Sequence, residues 1–359
     1  SKNAVTLLSE KIMRHQLGSD AADVTVYEEK DKTNYIGVGK SKNNKFIFIY
    51  SQATLSTEVR FIDASKPSDS FKLFAARMKD VLYDVTVLDN KFLIRTNKDN
   101  ATNFKLMECP LDNTESANWK EVIPNRPDVL LAGVDEFKNF IAISERKNGL
   151  TQLTIENLST NEKHSLDFGE PTYTASIGSN SEYNSDTLRY NYSSLTTPNS
   201  VYDYSMKNSG KKLMKQQEVL GGYNPADYVS ERLYATAKDG TKIPISIVYK
   251  KGFVKDGNAP LLLYGYGSYG SSTDAAFAST RLTLLNRGFT FAIAHIRGGQ
   301  EMGRYWYDDG KMMKKKNTFT DFIDCAEFLT KEKYTSHQHL YAHGGSAGGL
   351  LMGAVMNMA

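Results

Sequence analysis

The sequence predicts an all-β propeller region followed by an alternating α/β region. Three observations point that way. A repeat of forty-odd residues runs through the first 215 positions, a hairpin followed by strand–helix alternation begins near Val229, and a glycine-flanked serine sits between a predicted strand and helix. The repeat is anchored by Phe46–Ile49, which recurs as Phe92–Ile94, Phe140–Ile143 and Leu188–Tyr192 at spacings of 46, 48 and 48 residues. Each is followed 12 to 13 residues later by a second strand, at Val59–Ile62, Phe104–Met107, Leu153–Ile155 and Val201–Tyr204. A period in the forties holding about four strands is that of a propeller blade. A β-sandwich with coincidental spacing is the alternative. Four units are visible, and a strand around Leu7–His15 reads as the end of a preceding blade.

The second region opens with strands Leu233–Ala237 and Ile243–Tyr249 around an Asp239-Gly240 turn. Then come strand Leu261–Tyr264, a helix over Ala275–Arg287 closed by Gly288, and strand Thr290–Ile296 with a glycine-rich loop. Helix Phe319–Lys331 follows, opened by Thr318 with Asp321 three residues on, as in a capping box. Strand Leu340–His343 leads into a final apolar helix. Alternation of this kind predicts a parallel sheet with helices on both faces. The boundaries are 1–215 for the propeller, 216–228 for a linker and 229–359 for the α/β domain.

Composition narrows the function classes. With 44 basic and 41 acidic residues the net charge is +3, which gives no reason to expect nucleic acid or an anionic membrane. The longest apolar runs are strand-sized, and Ser1–Ser9 has no apolar core for a signal peptide. The two cysteines, Cys109 and Cys325, are far apart and lack a zinc spacing, which suits a reducing, cytoplasmic compartment.

Gly344-x-Ser346-x-Gly348 is the motif that carries chemistry. Between a strand and a helix it reads as a nucleophile elbow, in which a tight turn exposes the serine hydroxyl above the sheet. A Cβ at either glycine would strike a neighbouring element, and the helix N-terminus aims amide N–H groups at developing negative charge. A glycine-rich phosphate-binding turn is the alternative, but no Walker lysine or GxGxxG spacing accompanies it. The Ala347 N–H is one oxyanion donor, and the loop Tyr264–Gly270 is the expected source of a second. The residues thus give a β-propeller region of about four blades followed by an α/β domain that carries the elbow.

The propeller, the loop YGYGSYG, the tract from Arg297 to Phe322 and GGSAGG together resemble the prolyl oligopeptidase family of serine peptidases along essentially the whole chain. Tyr269 and the Trp306–Lys316 tract favour its oligopeptidase B branch. The resemblance implies Ser346 as nucleophile, the Ala347 N–H and the Tyr266 hydroxyl as oxyanion hole, and Tyr269 in the substrate pocket. It also implies hydrolysis of short peptides after Arg or Lys without cofactor or metal, the propeller helping to exclude folded proteins. Cleavage after proline, or a non-enzymatic propeller that binds peptides, are the alternatives. The family propeller has seven blades, so the resemblance implies a fragment: a partial β-propeller of about four blades followed by the N-terminal half of an α/β-hydrolase domain.

Only 13 residues follow Ser346, and none is Asp, Glu or His. The triad acid and base have no matching positions, so the chain alone is expected to be inactive, with a second chain as one source of the remainder. His343 and His295 are poor substitutes, placed on strands. His337, His339 and His343 lack the carboxylate spacing of a metal site. The run Lys311, Lys314, Lys315 and Lys316 reads as a solvated or domain-facing loop, and Arg297-Gly298-Gly299 as a loop-shaping element.

Overall fold

The computed structural model describes residues 2, 5 and 7–359, so the Ser1–Ser9 stretch lies partly outside the described residues. Four antiparallel four-stranded sheets follow one another along the chain, spanning Tyr35–Ala75, Tyr83–Ile123, Val129–Ser165 and Tyr173–Gln216, with strands in sequential order. These are the four blades. The leading strand is Lys11–Arg14, shorter than expected, and it pairs with Val24–Glu28 in a two-stranded sheet.

The repeated apolar segments are the second strands of the blades. Phe46–Gln52 and Phe140–Lys147 each lie between two partner strands, and Phe140–Lys147 also lies between neighbouring blades, Phe140 and Ala142 facing one and Ile141 and Ile143 the other. One core joins blades one and two through Phe48, Phe61, Phe74, Tyr83, Phe92 and Trp119. Further cores join blades two and three around Leu93, Leu106, Leu131 and Ile143, and blades three and four around Phe140, Leu153, Leu188 and Tyr190. Phe92 is fully buried with three edge-on aromatic neighbours, so its truncation would cost about 3–5 kcal/mol.

The fourth blade ends with strand Lys211–Gln216, paired with Ser200–Ser205. The next strand begins at Tyr228. The second region is built on one five-stranded sheet in the spatial order Tyr228–Thr236, Lys242–Lys250, Thr290–Ala294, Leu261–Tyr264, Leu340–His343. The sheet is mixed: the three strands of the alternating region run parallel, as expected, and the preceding hairpin joins them antiparallel. The hairpin is closed by a tight turn over Lys238-Asp239 and Gly240, with Gly240 N–H donating to Ala237 O and Ala237 N–H to Thr241 O, a short connection that joins only antiparallel neighbours.

Alternation along these strands serves two faces. Ile243, Ile245, Leu261, Leu263, Ala292 and Ala294 face helices Lys316–Lys331 and Ala347–Met358. Val248, Phe291 and Ile293 face Leu285 and Leu195, the latter from the fourth blade. In the longer helix, Thr318, Phe322, Cys325 and Leu329 form the buried stripe.

Two helix expectations fail. Ala275–Arg287 is helical only at Ser279–Leu285, as a 3-10 turn and one α turn. Ala275 and Phe277 are buried in extended chain instead, where the Phe277 N–H donates to Ser193 Oγ of the fourth blade. Thr318 is not a cap. The helix begins at Lys316, and the buried Thr318 hydroxyl donates to the carbonyls of Arg297 and Gly310, while Asp321 binds Arg297.

The blades meet the α/β domain through several polar contacts. Arg146 makes a two-point pair with Asp274 at 2.8 and 3.2 Å, and Thr174 also donates to Asp274. The Asn103 carboxamide accepts from the Arg304 N–H at 2.8 Å, so the second blade caps the short helix Arg304–Asp308. Arg232 donates to the Asn148 carbonyl, and the buried hydroxyls of Thr172 and Ser246 lie 2.5 Å apart. Among the described residues no helix is long and apolar enough to cross a membrane.

Candidate active site

Leu340–His343 is the edge strand beside Leu261–Tyr264, and after it the chain turns through Gly344-Gly345 into Ser346. Ser346 has φ 55° and ψ −120°, a conformation that L-residues rarely adopt and that costs about 1–3 kcal/mol. Such strain persists only where the surroundings enforce it. Here Gly349 N–H donates to Ser346 O and Gly348 N–H to Gly345 O, both at 2.8 Å, winding the chain directly into helix Ala347–Met358.

The two motif glycines are required for different contacts. A Cβ on Gly344 would run into the Gly348 carbonyl and come within 3.0 Å of Gly265 O. A Cβ on Gly348 would lie 2.9 Å from Gly265 O. Gly345 and Gly349, by contrast, face open space. Ser346 is exposed, and its hydroxyl has no hydrogen-bond partner among the described residues. Ala347 is the first helical residue, so its N–H has no intrahelical acceptor and lies at the positive end of the helix.

The loop after Leu261–Tyr264 folds over this turn. Gly265 N–H donates to His343 O, and a Cβ on Gly265 would press on the Phe322 ring and Leu351. Tyr266 is half-buried, with its Cα and ring edge 3.8 Å from where a Gly348 Cβ would stand. Ser346, Ala347 and Tyr266 are thus brought to one turn. The Tyr266 hydroxyl makes no hydrogen bond among the described residues, leaving it available as a donor. Tyr269 occupies the loop tip, with φ 60° and 78% of its surface exposed. It makes no hydrogen bond to the elbow. The loop closes where Gly270 N–H donates to Gly298 O and Gln300 donates to Gly270 O.

All six histidines of the chain are engaged elsewhere. His15 contacts Asp23, His164 stacks near Tyr204, His339 meets Ser336, and His337 lies 3.9 Å from Glu327. His343 packs its ring on Tyr264. His295 is fully buried with Nε2 2.7 Å from Ser246 Oγ; burial and the guanidinium charges of Arg232 and Arg146 hold its pKa well below the usual histidine value. No group of three or more metal-ligating side chains exists among the described residues.

Sequence reasoning missed what supports the loop. In the lysine run, Lys311 pairs with Asp308 and Lys314 with Asp309, as a solvated loop would. Lys315 turns inward, and its ammonium donates to Gly267 O at 2.5 Å and Ser268 Oγ at 2.7 Å. Burial lowers its pKa. A lysine whose acceptors are a carbonyl and a hydroxyl leaves no charge pattern in the sequence. Arg297 is buried, pairing with Asp321 and with Asp239 of the hairpin turn; these hydrogen bonds raise its pKa.

Comparison with known proteins matches residues 1–217 to the family described as "Prolyl oligopeptidase, N-terminal beta-propeller domain" and residues 275–359 to "Prolyl oligopeptidase family". Dipeptidyl aminopeptidase BI of Pseudoxanthomonas mexicana is 46% identical over 360 residues, covering 100% of this chain and 49% of its own length. Protease 2 of Moraxella lacunata is 40% identical, covering 97% of this chain and 50% of its own. The structure of oligopeptidase B from Leishmania major superposes with a TM-score of 0.91 at 37% identity, covering 100% of this chain and 52% of that one. The chain spans about half the length of the curated relatives it matches.

Proposed function

Since this chain belongs to the prolyl oligopeptidase family, we propose that it carries the nucleophile half of a serine peptidase acting on short peptides after Arg or Lys. The observation that carries this reading is the strained Ser346, exposed beside a free Ala347 N–H and the Tyr266 ring. In this mechanism the Ser346 Oγ attacks the scissile carbonyl and forms an acyl-enzyme that water then hydrolyses. The Ala347 N–H and the Tyr266 hydroxyl stabilise the tetrahedral oxyanion; losing either donor would cost about 3 kcal/mol. The general base is not among the histidines described above, so the imidazole and its orienting carboxylate are supplied from outside these 359 residues. On this reading the chain by itself does not turn over substrate. A cytoplasmic setting is proposed with it, in keeping with two buried free thiols.

The basic-residue preference rests on likeness to oligopeptidase B and Protease 2. A second reading, removal of N-terminal dipeptides, is favoured by the 46% identity to a protein named dipeptidyl aminopeptidase BI. The test compares three chromogenic substrates with the complete gene product: a blocked Arg dipeptide, a blocked Pro dipeptide and an unblocked dipeptide. Turnover of the blocked Arg substrate, lost in Ser346→Ala, is expected. Turnover confined to the unblocked substrate selects the second reading, and turnover unaffected by Ser346→Ala refutes both.

A further inference from the structure

Among the described residues, Lys315 forms no ion pair, although its neighbours Lys311 and Lys314 do. Lys315 is half-buried, and removing part of an ammonium's water without a carboxylate is unfavourable unless hydrogen bonds replace it. Here its acceptors belong to one short segment, Gly267 O and Ser268 Oγ, next in the chain to Tyr266. On the other side of Tyr266, Gly265 N–H is fixed to His343 O. Tyr266 is therefore tethered at both flanking residues, once to the nucleophile strand and once to Lys315.

The glycines of the neighbouring loop serve the same arrangement. A Cβ on Gly298 would collide with Gly267 O, the atom that Lys315 holds, and a Cβ on Gly310 would collide with the Gly298 backbone. Gly267 itself has φ +65° and is walled in by Thr318 and Ile296. Three backbones thus stack without side chains between them, and the lysine closes the stack. Gly298 thus shapes the loop, as expected of Arg297-Gly298-Gly299, by letting its backbone lie against Gly267 O.

We propose that Lys315 is a positioning residue that sets the Tyr266 hydroxyl in the oxyanion site by clamping the Gly267–Ser268 backbone. The inference rests on the peptidase reading for its catalytic consequence, while the clamp itself is testable without it. In the complete gene product, Lys315→Met should lower kcat about 10-fold with little change in KM, since a misplaced donor is felt in the transition state. In a Tyr266→Phe background the same substitution should add almost nothing, because the donor is already gone. Hydrogen exchange of the 264–270 segment should rise in Lys315→Met while the propeller stays protected. Lys315→Gln, which keeps a donor, should fall between, and it replaces Lys315→Met if protection is lost throughout. Unchanged exchange in 264–270, or equal kcat losses with and without the Tyr266 hydroxyl, would overturn the proposal. A wild-type protein without Ser346-dependent turnover overturns the peptidase reading instead, and exchange alone then decides the clamp.

Discussion

The Arg297 guanidinium and the Asp321 carboxylate meet in a buried two-point pair, Nε to Oδ2 at 2.8 Å and Nη2 to Oδ1 at 2.5 Å, and the Arg297 backbone N–H adds a third bond at 3.0 Å. The pair joins the strand-end loop to helix Lys316–Lys331, and Nη1 reaches on to Asp239 in the first hairpin. Without Asp321 the buried guanidinium keeps only its Nη1 contact with the half-exposed Asp239, and its Nε and Nη2 lose their acceptors. Asp321→Ala should therefore cost about 3–5 kcal/mol, read as a lowered midpoint in chemical unfolding. A loss below 1 kcal/mol would show that the pair is dispensable.

The elbow glycines divide into two that are needed and two that are spare. Gly344→Ala should cost about 1–3 kcal/mol from overpacking and, in the complete gene product, abolish organophosphonate labelling of Ser346, whereas Gly345→Ala should leave stability within about 0.5 kcal/mol. Ser346→Gly should stabilise the fold by about 1 kcal/mol by relieving φ 55°, while removing the proposed nucleophile. Thermal unfolding of the three variants checks the order.

His295 and Glu301 are both buried, and they act on stability in opposite directions. Burial pushes the Glu301 carboxyl from its ordinary 4.5 up to about 7. Between those values the folded state holds a proton that the unfolded state has released, so this group favours folding as pH falls toward 4.5. The His295 imidazole stays neutral below its ordinary 6.5, where the unfolded chain takes up a proton, so this group disfavours folding as pH falls. Over about pH 4.5 to 6.5 the two oppose, each worth up to about 1.4 kcal/mol per pH unit. Glu301→Gln should steepen the loss of stability on acidification, and His295→Gln should reverse it. Melting curves at pH 5 and 7 that keep the wild-type difference in both variants would refute the account.

Docking of the blades depends on Arg146 and Asp274. Arg146 is 12% exposed at its side chain and pairs through both nitrogens, so Arg146→Ala should weaken the interface by about 1.5–3 kcal/mol. Limited proteolysis should then cut near Asp274 faster, with the blade cores unaffected.

The second strand of the third blade was legible because neighbouring blades on both faces make FIAISE almost continuously apolar, and FIFIYS in the first blade repeats the pattern. Ser346 was legible for the opposite reason, since a strained turn admits few residues around it. The segment from Ala275 was misread because Ala275, Leu282 and Leu285 are spaced as on a helix, while the Ser193 contact that holds the chain extended comes from 84 residues earlier. Thr318 and Asp321 matched a capping box but serve Arg297, a partner that local pattern cannot reveal. Lys315 was invisible as a support because a backbone carbonyl looks the same at every position.

The carboxamide of Asn103 has a consequence for how the two regions are separable. It satisfies the first turn of Arg304–Asp308, and Gly303 is kept free of a side chain so that it can approach. Arg232 and Asp274 draw on the third blade in the same way, for a strand and for the loop that continues from Gly270. Cutting the chain between blade and sheet would not yield an intact α/β piece, because that piece borrows a helix end and a loop anchor from its neighbour. The boundary drawn along the sequence is thus not a boundary in the cooperativity of the fold.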